Sequence, residues 1–174
     1  MKKVLVTGIS GYLGHQCAVE LLKNGYLVKG SLRDLNKKNE VLDGIKKEID
    51  PSGKLEFVKL DLLSDDGWDD AVEGCEYVLH VASPYSVTEP NNEDEYIKPA
   101  CEGTIRALKS AQKAKVKRIV LTSSTVTMMG EIYDSNQDTG IVDAKSWTDP
   151  NSKNINTYIK SKTLAEKAAW DFFE

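Results

Sequence analysis

Tyr158 and Lys162 stand four residues apart in Tyr158-Ile159-Lys160-Ser161-Lys162, and no other of the seven tyrosines has a lysine at that distance. On a helix, residues four apart lie on one face. A tyrosine ordinarily titrates near ~10. Beside an ammonium its phenolate is favoured, and the hydroxyl becomes a usable proton donor and acceptor near neutrality. Earlier in the chain, Leu121-Thr122-Ser123-Ser124 puts serine hydroxyls at the end of an apolar run, where one could hold a substrate oxygen beside such a tyrosine. Alone, Tyr-x-x-x-Lys is a frequent accident, and the pair could simply pack together at a surface. It becomes specific when it shares a chain with a phosphate-binding loop.

Such a loop lies at residues 7 to 14, TGISGYLG, directly after Val4-Leu5-Val6. Gly8 allows a sharp turn out of a first strand, Gly11 lets a pyrophosphate approach the backbone, and Gly14 lets the following helix pack closely. The helix start adds free N–H groups and partial positive charge for phosphates. Glycines at this spacing also occur in plain strand–turn–helix junctions; their place after a first strand and before an amphipathic helix favours a dinucleotide. Gly8, Ser10, Gly11, Tyr12, Leu13 and Gly14 are therefore the candidate contacts. Arg33 follows a second apolar run where a carboxylate would mark NAD. A guanidinium there suits a 2′-phosphate instead, with Lys37 and Lys38 adding charge, so NADP is expected and NAD is the alternative. Asp61, with Leu62 beside it, ends a third run and could accept from an adenine amino group or merely cap a turn. Val81, Ala82 and Ser83 end a fourth run with small side chains that leave room for a cofactor, and Thr122 ends a fifth. His80 reads as a packed core histidine.

These residues need a scaffold that gathers strand ends. Apolar runs over Lys3–Val6, Tyr26–Leu32, Leu55–Leu60, Tyr77–Ala82 and Arg118–Ser123 predict five strands. Helical patterns cover Tyr12–Asn24 (with Leu13, Cys17, Leu21 and Leu22 as its apolar stripe), Val41–Ile49, Trp68–Glu73, Glu93–Lys113 and Thr157–Phe173. Pro99 should kink the fourth helix or mark its true start. Met128–Asn156 has no clear period and reads as a long surface loop. Alternating strands and helices predict an α/β fold, a Rossmann-type doubly wound parallel sheet that binds ligands at the carboxyl ends of its strands.

The 174 residues suffice for one domain, 1–174, with a sizeable core. A formal charge of −4 argues against a nucleic-acid partner. No apolar stretch reaches the ~20 residues of a membrane span. Three scattered cysteines suggest reduced thiols and a cytoplasmic location, and two distant histidines give no metal site.

TGISGYLG, HVASP, KPACEGT, LTSS and YIKSK together resemble the extended short-chain dehydrogenase/reductase family. Within it, SLRD, HVASP, KPACEGT and SKTLAEKAAW are similar to the dihydroflavonol 4-reductase-like branch. The resemblance runs from Lys3 to the last residue. It implies an NADP-dependent oxidoreductase that reduces a small aldehyde or ketone. Ser124 (chosen over Ser123 because the family motif places the catalyst second) would hold the carbonyl oxygen and Tyr158 would protonate it. Lys162 would bind the nicotinamide ribose and tune Tyr158, so Tyr158 and Lys162 also count as cofactor contacts. The resemblance further implies that this chain is the amino-terminal portion of such an enzyme, without its carboxyl-terminal substrate-binding part. An uncovered sheet edge would then favour a homodimer, and without a closed pocket to orient substrate and exclude water the chain alone would be inactive. Plant flavonoid reductases carry an asparagine five residues after the catalytic serine; here Met129 stands there, so the resemblance does not extend to that flavonoid contact. The other readings are an NAD-dependent nucleotide-sugar epimerase or dehydratase, and a non-catalytic cofactor-binding fragment.

Overall fold

The structure, a computed structural model, describes residues 1–85, 88–129 and 141–174. The chain divides into two compact units, Met1–Ser83 with Arg106–Thr122, and Pro84–Ile105 with Ser123–Glu174.

In the first unit, β1 (Lys3–Thr7) is followed by α1 (Tyr12–Lys23), β2 (Leu27–Leu32), α2 (Lys38–Lys46), β3 (Leu55–Lys59), α3 (Trp68–Val72), β4 (Tyr77–His80) and β5 (Arg118–Leu121). Between β4 and β5 runs α4 (Asp94–Lys113), whose residues from Arg106 onward belong to this unit. The five strands form one parallel sheet in the order β3-β2-β1-β4-β5, the Rossmann-type arrangement. β1 is central, its Val4 set against Val28 on one side and Tyr77 on the other. Its apolar run is unbroken because both faces are covered. Val4 and Val6 pack with Ala18, Val19 and Leu22 of α1 and Val41 and Ile45 of α2. Leu5 faces the other way, toward Trp68, Ala71 and Val72 of α3 and Ala107 and Ala111 of α4. Each such fully buried aliphatic side chain contributes roughly 1.5–3 kcal/mol. Lys29 is buried in β2, and its ammonium donates to the carbonyls of Asp70 (3.1 Å) and Glu73 (3.2 Å) at the end of α3. A cation suits that end of a helix.

The second unit holds the first part of α4, the short α5 (Val126–Met129) and α6 (Thr157–Asp171). Asn156 caps α6, its Oδ1 accepting from the Ile159 amide at 2.9 Å. Thr148 ties the preceding segment to α5, its Oγ1 donating to the Val126 carbonyl at 2.6 Å and its amide to the Thr127 carbonyl at 2.8 Å. The buried side of α6 is built from Ile159, Ser161, Lys162, Thr163 and Ala165.

Three expectations need correction. Leu13 does not lie on the buried stripe of α1: it is exposed, and Gly14, Ala18, Val19 and Leu22 are the buried residues. Pro99 does not mark the start of α4: the helix begins at Asp94 and the proline lies inside it. The segment 128–156 is not loop throughout, because Met128 and Met129 close α5; its residues 130–140 lie outside the described residues.

Candidate functional site

In the first unit, the glycine stretch connects β1 to α1. Gly8 has φ +71°, and a Cβ there would also stand 3.0 Å from the Ala82 Cα, so conformation and space both demand glycine. At Gly14 a Cβ would sit 2.3 Å from the Gly8 carbonyl oxygen. The close approach of the helix is thus to the turn itself. Gly11 is the residue before α1, and no side chain caps the helix there. The turn is braced from behind: Ser31 Oγ accepts from the Gly8 amide at 3.1 Å, and Thr7 Oγ1 accepts from the amides of Val81 and Ala82 at 3.0 Å each. With both bonds accepted, the Thr7 hydroxyl proton is left for His80 Nδ1, also 3.0 Å away. His80 is indeed a buried core histidine. Sequence reasoning missed Thr7 and Ser31; a small hydroxyl residue closing the apolar run of β1 was a signal for Thr7, and none marked Ser31.

The remaining candidates of this unit lie just past strand ends. Ser10, Gly11, Tyr12 and Leu13 are exposed along the turn and the helix start. Arg33 is exposed immediately after β2, and among the described residues no carboxylate pairs with it. Lys37 is exposed in the short 3₁₀ turn that follows. Asp61 Oδ1 accepts from the Leu63 amide at 2.9 Å, the turn-capping role, while Leu62 beside it is half-buried. Val81, Ala82 and Ser83 follow β4 half-buried, and Thr122 follows β5 with its amide donating to the His80 carbonyl at 3.0 Å.

Ser124, Tyr158 and Lys162 all lie in the second unit. Tyr158 and Lys162 are one turn apart on α6. Lys162 is buried, which pushes its ammonium below the ordinary lysine value, while the Glu166 carboxylate pulls the other way. The two serines have different surroundings. Ser123 Oγ donates to the Glu166 carboxylate. Among the described residues Ser124 Oγ only accepts, from the Val126 amide at 3.4 Å, which leaves its proton for an incoming oxygen. Tyr158 lies edge-on to the Tyr85 ring, centroids 5.3 Å apart, and helps line a cleft of about 250 Å³ with Tyr85, Thr88, Glu89, Pro90, Tyr96 and Asn156. Burial pushes the Cys101 thiol of this unit up to about 11, which keeps it protonated at neutral pH.

This fold and these strand-end residues define a nucleotide-binding class. The chain belongs to the NAD dependent epimerase/dehydratase family, whose model matches residues 4–174. It is 40% identical to the dihydroflavonol 4-reductase of Arabidopsis thaliana over 98% of this chain and 45% of that protein. It is 39% identical to tetraketide alpha-pyrone reductase 1 of the same plant, over 99% of this chain and 53% of the relative. Among solved structures it is similar to yeast methylglyoxal/isovaleraldehyde reductase complexed with NADPH. That match has a TM-score of 0.85 and 28% identity, over 98% of this chain and 52% of that one. The chain spans about half the length of the curated relatives it matches.

Proposed function

We propose that the protein is an NADPH-dependent carbonyl reductase in which Tyr158 gives a proton to the carbonyl oxygen of a small aldehyde or ketone. The observation that carries this reading is the second unit's arrangement. Tyr158 opens into a cleft, Lys162 is a turn away on the same helix, and Ser124 keeps a proton to donate because Glu166 engages its neighbour. The names of the relatives, all reductases, support it. The residues past the strand ends fit a dinucleotide: Gly14 leaves no room for a methyl group, and α1 begins without a side-chain cap, so its first amides can meet phosphate. Gly8 to Gly14 would hold the pyrophosphate, Arg33 with Lys37 the 2′-phosphate, and Asp61 and Leu62 the adenine. Val81, Ala82, Ser83 and Thr122 would leave room for the rest, and a ribose contact from Lys162 belongs to the same reading. NADPH, when bound, supplies the hydride. Ser124 would hold the substrate oxygen while Tyr158 delivers its proton, the buried charge of Lys162 favouring the phenolate left behind.

NADPH oxidation measured against a panel of small aldehydes and ketones tests the reading, with nucleotide-sugar epimerisation in the presence of NAD as the counter-assay. Carbonyl-dependent oxidation is the expected result. Epimerisation of a nucleotide sugar without carbonyl reduction would overturn it.

A further inference from the structure

The cleft beside Tyr158 contains a polar group that nothing above uses. Tyr96 lies in the first turn of α4, is 7% exposed, and lines that cleft. Its hydroxyl is buried and has no hydrogen-bond partner among the described residues. Leaving a buried hydroxyl unpaired is costly, and a phenylalanine would fill the same space without that cost. The other buried residues of α4 in this unit are Pro99, Ala100, Gly103 and Thr104, and the Thr104 hydroxyl is satisfied by the Ala100 carbonyl at 2.8 Å. A tyrosine whose polar atom has no partner among the described residues is the exception among them, and it lies in the wall of a cleft that opens onto the candidate proton donor.

We infer that Tyr96 is a specificity-determining residue: its hydroxyl hydrogen-bonds a second oxygen of the substrate, one carried in addition to the carbonyl. This rests on the reductase reading of the Tyr158 cleft and narrows its substrate class. The rest of the wall fits such a molecule. The rings of Tyr85 and Tyr158, with Pro90, supply apolar contact, and Thr88 and Asn156 supply polar groups. The exposed carboxylate of Glu89 makes the cleft unfavourable for an anion. The favoured substrate is therefore an uncharged aldehyde or ketone bearing a hydroxyl or second carbonyl oxygen near the reacting carbon. A site with a buried group waiting for a substrate hydroxyl discriminates against the analogue that lacks it.

The test compares lactaldehyde with propanal, which differ by one hydroxyl, in the wild type and in Tyr96→Phe. The wild type should prefer lactaldehyde. Tyr96→Phe should raise the KM for lactaldehyde about threefold to tenfold with little change in kcat, leave propanal unaffected, and melt no lower than the wild type. A preference unchanged in the variant would overturn the assignment. So would a lower melting temperature with equal losses on both aldehydes, since that marks a packing role. A second readout needs no turnover: binding of 1,2-propanediol and 1-propanol to the NADP⁺-loaded protein by saturation-transfer NMR. The diol signal should exceed that of the monoalcohol in the wild type and fall to its level in Tyr96→Phe. Equal diol binding by both proteins would overturn the proposal. If neither aldehyde is reduced even by a form as long as the relatives, the reductase reading fails by itself, and the diol measurement still decides the role of Tyr96.

Discussion

The two units carry their chemistry in different materials. In the first, the candidate phosphate site is backbone: a turn shaped by Gly8 and Gly14, braced by the Thr7 and Ser31 hydroxyls. In the second, it is side chains: a phenol and an ammonium carried by α6 and a hydroxyl on the segment just before α5. A backbone site fails when a single methyl group is added, because the atoms it would strike are the chain itself. A side-chain site fails when a polar head is removed, and the fold around it need not notice. Mutations should therefore separate stability from activity in opposite ways in the two units.

The largest effect is expected at Lys162. Lys162→Met should lower carbonyl reduction by 10²-fold or more, about the contribution of assisted proton transfer, without lowering the melting temperature. The sign follows from burial. Burial holds the Lys162 ammonium below the ordinary lysine value of 10.5, so the native state carries a partly desolvated charge at acid and neutral pH. That unfavourable contribution is complete below the folded pKa and fades as pH rises toward 10.5. Thermal melts of both proteins across neutral to alkaline pH check this; the variant should equal or exceed the wild type at neutral pH, with the difference shrinking as pH rises.

Next comes a pair of methyl additions in the first unit. Gly14→Ala drives a Cβ to 2.3 Å from the Gly8 carbonyl and should cost about 1–3 kcal/mol of stability along with NADPH binding. At Gly11 an added Cβ meets only the Gly8 carbonyl, at an ordinary 3.4 Å, so Gly11→Ala should keep its melting temperature and lose NADPH affinity alone. Melting curves beside fluorescence titrations separate the two. Equal stability losses would contradict the account of the turn.

Arg33→Ala should weaken NADPH by about tenfold to a hundredfold, the range of ~1.5–3 kcal/mol for a charged contact, while NADH is barely affected. Equal affinity of the wild type for both cofactors would remove Arg33 from the 2′-phosphate. The smallest effect distinguishes the serines. Ser123→Ala gives up its bond to Glu166 and should cost about 1 kcal/mol of stability with activity largely kept, whereas Ser124→Ala should lose rate and keep stability. Reversed outcomes in a side-by-side melt and assay would exchange their roles.

The central β1 was legible because a run buried on both faces is apolar throughout, the edge strands β3 and β5 by their short apolar runs despite partial exposure, and each prediction missed only a terminal residue or two where pairing stops. The helix stripe of α1 was not, for a physical reason. Its inner face is set by Gly14 meeting the Gly8 turn, and continues through Ala18, residues too small to register as hydrophobic spacing. Leu13, larger and more apolar, drew the prediction but faces outward. The Tyr158–Lys162 spacing was visible because one helical turn is local. The Ser123–Glu166 bond and the bracing of Gly8 by Ser31 join residues far apart in the chain, and no local pattern announces them. Tyr96 escaped notice because its distinguishing property is a missing partner, which only coordinates can reveal.

The central claim, that cofactor binding and proton delivery rest on separate materials, is tested most directly by Tyr158→Phe with NADPH affinity and carbonyl reduction measured on the same preparation. Phenylalanine keeps the ring against Tyr85 and deletes only the transferable proton. The account predicts an NADPH Kd within about twofold of the wild type and a rate lower by roughly 10²–10⁴-fold. A variant that keeps more than about a tenth of the rate, or that loses NADPH binding together with activity, would contradict it.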